Sequence, residues 1–402
     1  MLDFDTARAQ LISAALPSPR QSETVSLTEA LGRVLARSIT SPIDVPGFDN
    51  SAMDGYALHI GDFNNMPERF PVVQRIAAGQ TGLALSVHQA ARIFTGAPVP
   101  EHTNLVVPQE HTEASDNHIK LTQQVFPSQH IRRRGEDIQA GSAIIAAGTR
   151  LSPAHLALAA SVGVSAIEVQ SKLKVAIMFT GDELTEPGQP LAPGGIYNSN
   201  RYAIHALLDK LGCEITDLGI VRDSAQATRE ALQQGSAIAD VIITCGGVSV
   251  GEEDYVKAAV QALGQLNLWQ IAMKPGKPLA YGKVGTADFI GLPGNPVSAF
   301  VTFVLMARPF LLKRMGATNL DANTIPAVAG FDWPKPDRRR EFLRAGFERN
   351  AEGASILKIW PNQGSGVMSS VAWADGLIDV PPNTSIRKGE TVNFIPFSDL
   401  MG

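Results

Sequence analysis

The sequence predicts a multi-domain protein of α/β and β parts, organised around a doubly wound α/β domain. Three observations carry that prediction. Residues 172–316 alternate apolar strand-length runs with helical patterns, as successive βαβ crossovers require. From about Asn323 onward, short alternating runs (REFLRAGF, SILKIWP, GLIDVPP, TVNFIPF) are separated by Gly, Pro and Asn turns, the pattern of a small all-β domain. Residues 45–139 are turn-rich and again mostly β, and the helical or irregular pieces flanking them, 27–38 and 153–162, belong together as one further unit.

Within the α/β part the expected strands are KVAIMFT, EITDLGIV, DVIITC, LWQIAM and a short ADFIGL. Helices begin near Asn198, Ser224, Glu252 and Pro296. Asn198 or Ser199 suits the first cap, while Asn295 followed by proline at the first helical position marks the last. In such a sheet ligands lie beyond the carboxyl ends of the strands, where TGDE, GGVSVGEED and LPGNP all fall.

Composition narrows the function. A length of 402 residues allows several domains, and 44% hydrophobic with 18% charged residues describes a globular protein. The net charge of −5 leaves no excess of Lys and Arg to displace counterions from nucleic acid. The two basic runs, Arg132 to Arg134 and Arg338 to Arg340, read as solvated surface turns. The start, MLDFDTARAQ, shows no targeting pattern, which makes the cytoplasm the default location. The longest apolar segment, 297–312, is interrupted by Arg308 and Pro309 and reads as a buried helix, so no membrane partner is expected. Cys213 and Cys245 lack CxxC spacing and read as small buried hydrophobes, and His205 as a packing residue.

The chemistry concentrates in residues 240–255, DVIITCGGVSVGEEDY. Gly246 and Gly247 let backbone N–H groups approach an anion, with Ser249 as a hydroxyl donor. Glu252, Glu253 and Asp254 then offer carboxylates either to a divalent cation or to the dipole of the helix they open. Lys274 and Lys277 flank a Pro-Gly turn, which aims both ammonium groups into one loop-lined space. The GLPGNP turn, with Pro293, Gly294 and Pro296, places backbone donors at a helix N-terminus. Thr95 in FTGAP is a hydroxyl donor to an oxyanion or to its own turn, and Asp223 a cap or a ligand. Asp54 in SAMDGY is either a turn former or an acid of the site; Asp137 and Glu183 are further acids, in GED and GDE.

Seven motifs in order, DVPGFDNSAMDGYAL, IFTGAPVP, RRRGEDI, FTGDEL, the glycine-rich loop, KPGKP and GLPGNPVSAF, together resemble the molybdopterin molybdenumtransferase family from about residue 3 to the end. The resemblance implies a linking domain (1–44 plus 140–171), an inserted β-rich domain (45–139), a molybdopterin-binding α/β domain (172–322) and a small β-barrel-like C-terminal domain (323–402). The family it resembles is related to the C-terminal domain of gephyrin. It also implies the reaction: molybdenum from molybdate enters adenylylated molybdopterin with release of AMP, assisted by Mg²⁺. By the same resemblance Asp54, Asp137, Glu183 and Asp254 are catalytic, with Asp254, Asp54 and Glu183 holding the metal. Thr95, Asp223, Gly246, Gly247, Ser249, Lys274, Lys277, Pro293, Gly294 and Pro296 bind substrate. A homodimer is implied, as is a transient contact with the molybdopterin adenylyltransferase. One departure is Gln270, four residues before Lys274, where many relatives carry a basic residue. A molybdopterin adenylyltransferase and a non-catalytic scaffold are the rival readings. The extra domains count against the first, the retained acids and lysines against the second.

Overall fold

The computed structural model describes residues 1–16, 21–247 and 255–401. At its centre is a six-stranded sheet in the order Glu214–Val221, Lys174–Thr180, Val241–Cys245, Ala287–Leu292, Pro278–Val284, Gly264–Gln270. The first four strands are parallel. The last two are not: Gly264–Gln270 runs antiparallel to Pro278–Val284, which runs antiparallel to Ala287–Leu292. The sheet is therefore mixed, which corrects the expectation of βαβ crossovers throughout residues 172–316. The strand Pro278–Val284 was not legible because Pro278, Gly282 and Lys283 break its apolar run. Gln270 nevertheless faces Pro278, so the loop 271–277 emerges at the same end of the sheet as the parallel strands' carboxyl ends.

The helices Ser199–Leu211, Ala225–Ile238 and Pro296–Thr302 begin where their caps predict, and Asn198 and Ser224 accept from the N–H groups of Arg201 and Ala227. Residues 296–314 form one helix that runs through Arg308 and Pro309, the buried helix expected of this apolar segment. A π turn at Phe303–Ala307, in which the Arg308 N–H donates to the Phe303 carbonyl, widens the helix just ahead of the proline ring. This stretch is long and apolar enough to cross a membrane by composition, but 89% of it is buried inside the protein. His205 is exposed on its helix rather than packed, whereas Cys213 and Cys245 are buried thiols outside any disulfide.

The helix Phe4–Ala14, capped by Asp3, buries Phe4, Ala7 and Leu11 in the core of the central sheet, although it falls within the segment read as the linking unit. The pairing of Ser22–Ser26 with Ala166–Gln170 and of Ile39–Thr40 with Ala143–Ile145 encloses a separate core around Leu35, Ile145 and Val169. A second six-stranded sheet, in the order Leu105–Pro108, Gly55–Leu58, Ala90–Ile93, Phe70–Ile76, His118–Leu121, Thr112–Ser115, packs apolar residues on both faces. At its base Arg133 pairs with Asp49 and Arg134 with Asp44, both at 2.6 Å, so of that basic run only Arg132 lacks an acid among the described residues.

The C-terminal sheet joins Arg340–Arg349, Gly376–Val380, Thr391–Pro396 and Ile325–Val328, with Ser355–Ile359 against the first of these. Its far edge is Met273–Lys274, which pairs in parallel with Arg340 and Glu341. Arg340 is no solvated turn residue: its guanidinium lies 4.8 Å from the centre of the Phe4 ring and bonds Asp379 and Asp5. This long-range pairing ties the KPGKP loop to the last domain.

Candidate active site

The carboxyl ends of the three parallel strands Lys174–Thr180, Val241–Cys245 and Ala287–Leu292 open onto two adjoining cavities of about 550 and 500 Å³. Both are walled by Gly246, Gly294 and Asn295. Such volumes suit a ligand with several rings or charged groups. Glycine is required here by close approach. A Cβ on Gly246 (φ +91°) would stand 2.9 Å from the Thr180 carbonyl oxygen, and one on Gly247 (φ +64°) 2.4 Å from a Val256 methyl. The Gly246 N–H is already given to the Leu292 carbonyl, so it is unavailable to a ligand.

The larger cavity carries Glu183 with Thr180, Asn198, Ser199 and Asn200. Gly181 (φ +142°) leaves room for the Glu183 carboxylate, whose oxygens would lie 2.6 and 2.8 Å from a Cβ there. Cys245 also lines this cavity, and complete burial pushes its thiol well above the ordinary range, which removes it as a thiolate nucleophile. Asn200 donates to the Gly294 carbonyl at 2.7 Å and fixes the partition between the two spaces.

The second cavity is cationic. Lys274 and Lys277 line it as expected, and Arg339 joins them together with Ser298, Gln363 and Ser365. Lys274 is not free: its Nζ lies 2.8 Å from Glu341 Oε1 and 3.4 Å from Asp337 Oδ2. Glu341 is 2% exposed, and its other oxygen accepts from Trp333 Nε1 at 2.9 Å. Arg339 grips Asp337 through two hydrogen bonds, which hold that carboxyl far below the usual carboxylate range. Lys277 is exposed and has no acidic partner among the described residues. The buried Arg344 donates to the Gly364 carbonyl, and Gln363 bonds the Arg344 backbone in both directions, so the far wall is rigidly placed. The helix at Pro296 contributes less than its sequence promises, since Pro296 has no N–H and Val297 donates to Ser365.

Of the residues singled out from sequence, Glu183, Gly246, Gly247, Lys274, Lys277, Pro293, Gly294 and Pro296 thus meet at one crevice. Asp54 and Thr95 meet each other instead, in the inserted sheet, and line neither cavity. The Thr95 N–H and hydroxyl both donate to Asp54 Oδ1 at 2.8 Å, which lowers the Asp54 carboxyl pKa. Asp137 is exposed on a turn, its N–H given to the Val45 carbonyl, and Asp223 follows the edge strand with its N–H on Asp182. The Asp182 carboxylate that accepts this bond ties the two neighbouring loops together. Gln270 is exposed and lines neither cavity. Ser249 and Asp254 lie outside the described residues, as do Glu252 and Glu253. Among the described residues no three His, Cys, Asp or Glu side chains are grouped to hold a metal.

Arg339, Ser298, Ser365, Gln363 and Asn295 were missed as site residues. Asn295 suits a helix cap by sequence, yet its side chain caps nothing and stands exposed at both cavities.

Family models match three consecutive parts of the chain. The MoeA N-terminal region (domain I and II) matches residues 2–163, a probable molybdopterin binding domain residues 176–313, and the MoeA C-terminal region (domain IV) residues 326–397. The chain is 39% identical to a molybdopterin molybdenumtransferase of Haemophilus influenzae over 100% of both chains. It is 36% identical to molybdopterin molybdenumtransferase 2 of Mycobacterium tuberculosis, covering 89% of this chain and 90% of the relative. A crystal structure of the molybdopterin biosynthesis MoeA protein of Pyrococcus horikoshii is similar with a TM-score of 0.83 at 27% identity, over 98% of this chain and 100% of that one. The coverage is end to end, and the chain belongs to the molybdopterin molybdenumtransferase (MoeA) family.

Proposed function

We propose that the paired cavities insert molybdenum from molybdate into adenylylated molybdopterin, releasing AMP. The observation that carries this is the meeting of a cationic cavity and a carboxylate-bearing one across Gly246 and Gly294. A tetrahedral dianion suits the first, where Lys277, Arg339 and Lys274 supply charge and Ser298 and Ser365 supply hydroxyl donors. The pterin with its phosphoanhydride suits the carboxylate-bearing cavity, where Gly246, without a side chain, allows close approach. The shared wall brings the oxyanion and the pterin together, which is the proximity a transfer between them needs.

Mg²⁺ fits the donors present. Glu183 and the neighbouring hydroxyls and amides offer oxygen, and the one lining sulfur, Cys245, is kept protonated by burial. Glu183 and, from its place in the motif, Asp254 would hold it. When bound, the ion screens the phosphoanhydride charge and polarises the bond that is cleaved. We assign the protein to the cytoplasm and to a homodimer that makes transient contact with the adenylyltransferase supplying its substrate. Asp54 and Thr95 line neither cavity of their own chain, and a second copy is the means by which they would reach one. Light scattering at the single-chain mass of 42.8 kDa would remove the dimer.

The test supplies purified protein with adenylylated molybdopterin, Mg²⁺ and molybdate and follows AMP, with a parallel assay on ATP and unmodified molybdopterin. AMP release that needs all three additions, and is lost in Asp254→Asn, supports the reading. Adenylylation from ATP would favour the adenylyltransferase instead, and no turnover in either assay a scaffold.

A further inference from the structure

In the inserted sheet two arginines stand directly opposite each other on adjacent parallel strands, Arg75 on Phe70–Ile76 and Arg92 on Ala90–Ile93. Like charges so placed destabilise a sheet unless something compensates. The placement depends on a β-bulge. Val72 pairs with Ala90 but Gln74 pairs with Ala91, so one extra residue at Val73 turns Arg75 to the face that carries Arg92. Without the bulge Arg75 would share the opposite face with Ala91 and Ile93, which is buried. The fold therefore spends an irregularity on bringing a second cation beside the first.

Both guanidinium groups stack on one ring, with their carbons 4.6 and 4.7 Å from the centre of Phe94, and Arg92 also lies 5.2 Å from the centre of Tyr56. Arg92 is fixed by bonds to the Gly55 carbonyl and Gln109. Arg75 is exposed, and among the described residues no carboxylate pairs with it. Asp54 feels the Arg92 charge and is itself tied to Thr95, the residue after Phe94. Glu110 is occupied by the Gln109 amide.

We infer that Arg75 and Arg92, stacked on Phe94, form a phosphate-binding platform beside Asp54 and Thr95. Two planar guanidinium groups held on one ring offer paired donors to the oxygens of a phosphoanhydride, and the stack holds them in place before the ligand arrives. Resting on the reading of the previous subsection, in which a second copy brings Asp54 and Thr95 to a cavity, the ligand is the phosphoanhydride of the adenylylated pterin held at that cavity, free inorganic phosphates being the other source of the same chemistry.

The experiment titrates inorganic pyrophosphate into wild type, Arg75→Gln, Arg75→Lys and Lys277→Gln by calorimetry at two salt concentrations, and measures KM for adenylylated molybdopterin in each. Thermal melting first establishes that the exposed substitutions fold. Arg75→Gln is expected to weaken pyrophosphate about tenfold and to flatten its salt dependence, with Arg75→Lys intermediate. KM for the adenylylated pterin should rise with it while KM for molybdate stays put. A rise in the first readout without the second assigns the platform to free phosphates rather than to the substrate. Pyrophosphate that is lost in Lys277→Gln but bound equally by wild type and Arg75→Gln overturns the inference and leaves the stack a purely structural device, as does wild type that binds none. Wild-type AMP release reports on the proposed reaction separately, because the calorimetric arm needs no turnover.

Discussion

Replacing Lys274 should have two separable effects, and a double-mutant cycle with Glu341 divides them. Lys274 faces the cationic cavity, so Lys274→Ala removes one ion contact to a partly buried dianion. That is worth about 1 to 3 kcal/mol, or roughly ten- to a hundredfold in the molybdate concentration for half-maximal AMP release. The same side chain neutralises Glu341, which is 2% exposed and 2.8 Å away. Stranding a buried carboxylate costs about 3 to 5 kcal/mol when both partners are buried. Because the Lys274 side chain is 42% exposed, solvent screens the pair, and about 1 to 3 kcal/mol of stability is the better expectation. Adding Glu341→Gln removes the stranded charge, so the double variant should regain most of the stability but none of the molybdate affinity. Urea unfolding and molybdate titration of all four proteins measure the cycle. If Lys274→Ala leaves the half-saturation point unmoved, the oxyanion is not held by this loop; if Glu341→Gln fails to recover stability, the ion pair is not what fixes Lys274.

Two further outcomes follow from single residues. Gly247→Ala would press a Cβ to 2.4 Å from Val256 at a φ of +64°, and should lower stability by roughly 1 to 3 kcal/mol and turnover with it, whereas Ala at the open Gly188 should cost no more than its positive φ. Asp337 has a folded-state pKa depressed chiefly by its hydrogen bonds from Arg339, so its contribution is present above the unfolded carboxylate pKa of about 3.9 and is lost as pH falls through the folded value. The stability gap between wild type and Asp337→Asn should therefore be full at neutral pH and close in acid; a gap independent of pH would mean that the carboxylate's charge is not what matters.

Much of the fold was legible because local signals coincide with it. The strands Lys174–Thr180 and Val241–Cys245 are nearly continuous apolar runs, and Asn198, Ser224 and Pro296 mark helix starts by their own chemistry. The loops TGDE, GG and LPGNP converge for the topological reason that parallel strands end together. What failed was direction. Nothing local tells that Gly264–Gln270 pairs antiparallel with Pro278–Val284, because the periodicity of a strand is the same either way. The second basic run failed for a related reason: the acids that neutralise Arg340, Asp5 and Asp379, come from opposite ends of the chain.

The site was legible on the side built from glycines and illegible on the side built by pairing. Arg339 reaches the cavity only because Met273–Lys274 lies parallel to Arg340–Glu341, a contact between segments more than sixty residues apart. That same pairing delivers Asp337 and Glu341 to Lys274, so the basic loop and its acidic counterweight arrive together. Three cations, Lys274, Lys277 and Arg339, then stand against two carboxylates at this wall. A dianion entering it meets a small positive excess rather than three unopposed charges, and the attraction left over is correspondingly modest. For an oxyanion that must leave this cavity for a dithiolene next door, strong capture would oppose transfer, since binding the ground state tightly raises the barrier to the next step. The acids of the C-terminal sheet thus belong to the chemistry of the crevice as much as to its stability, and Lys277, exposed and without an acid among the described residues, is the cation left to make the first contact.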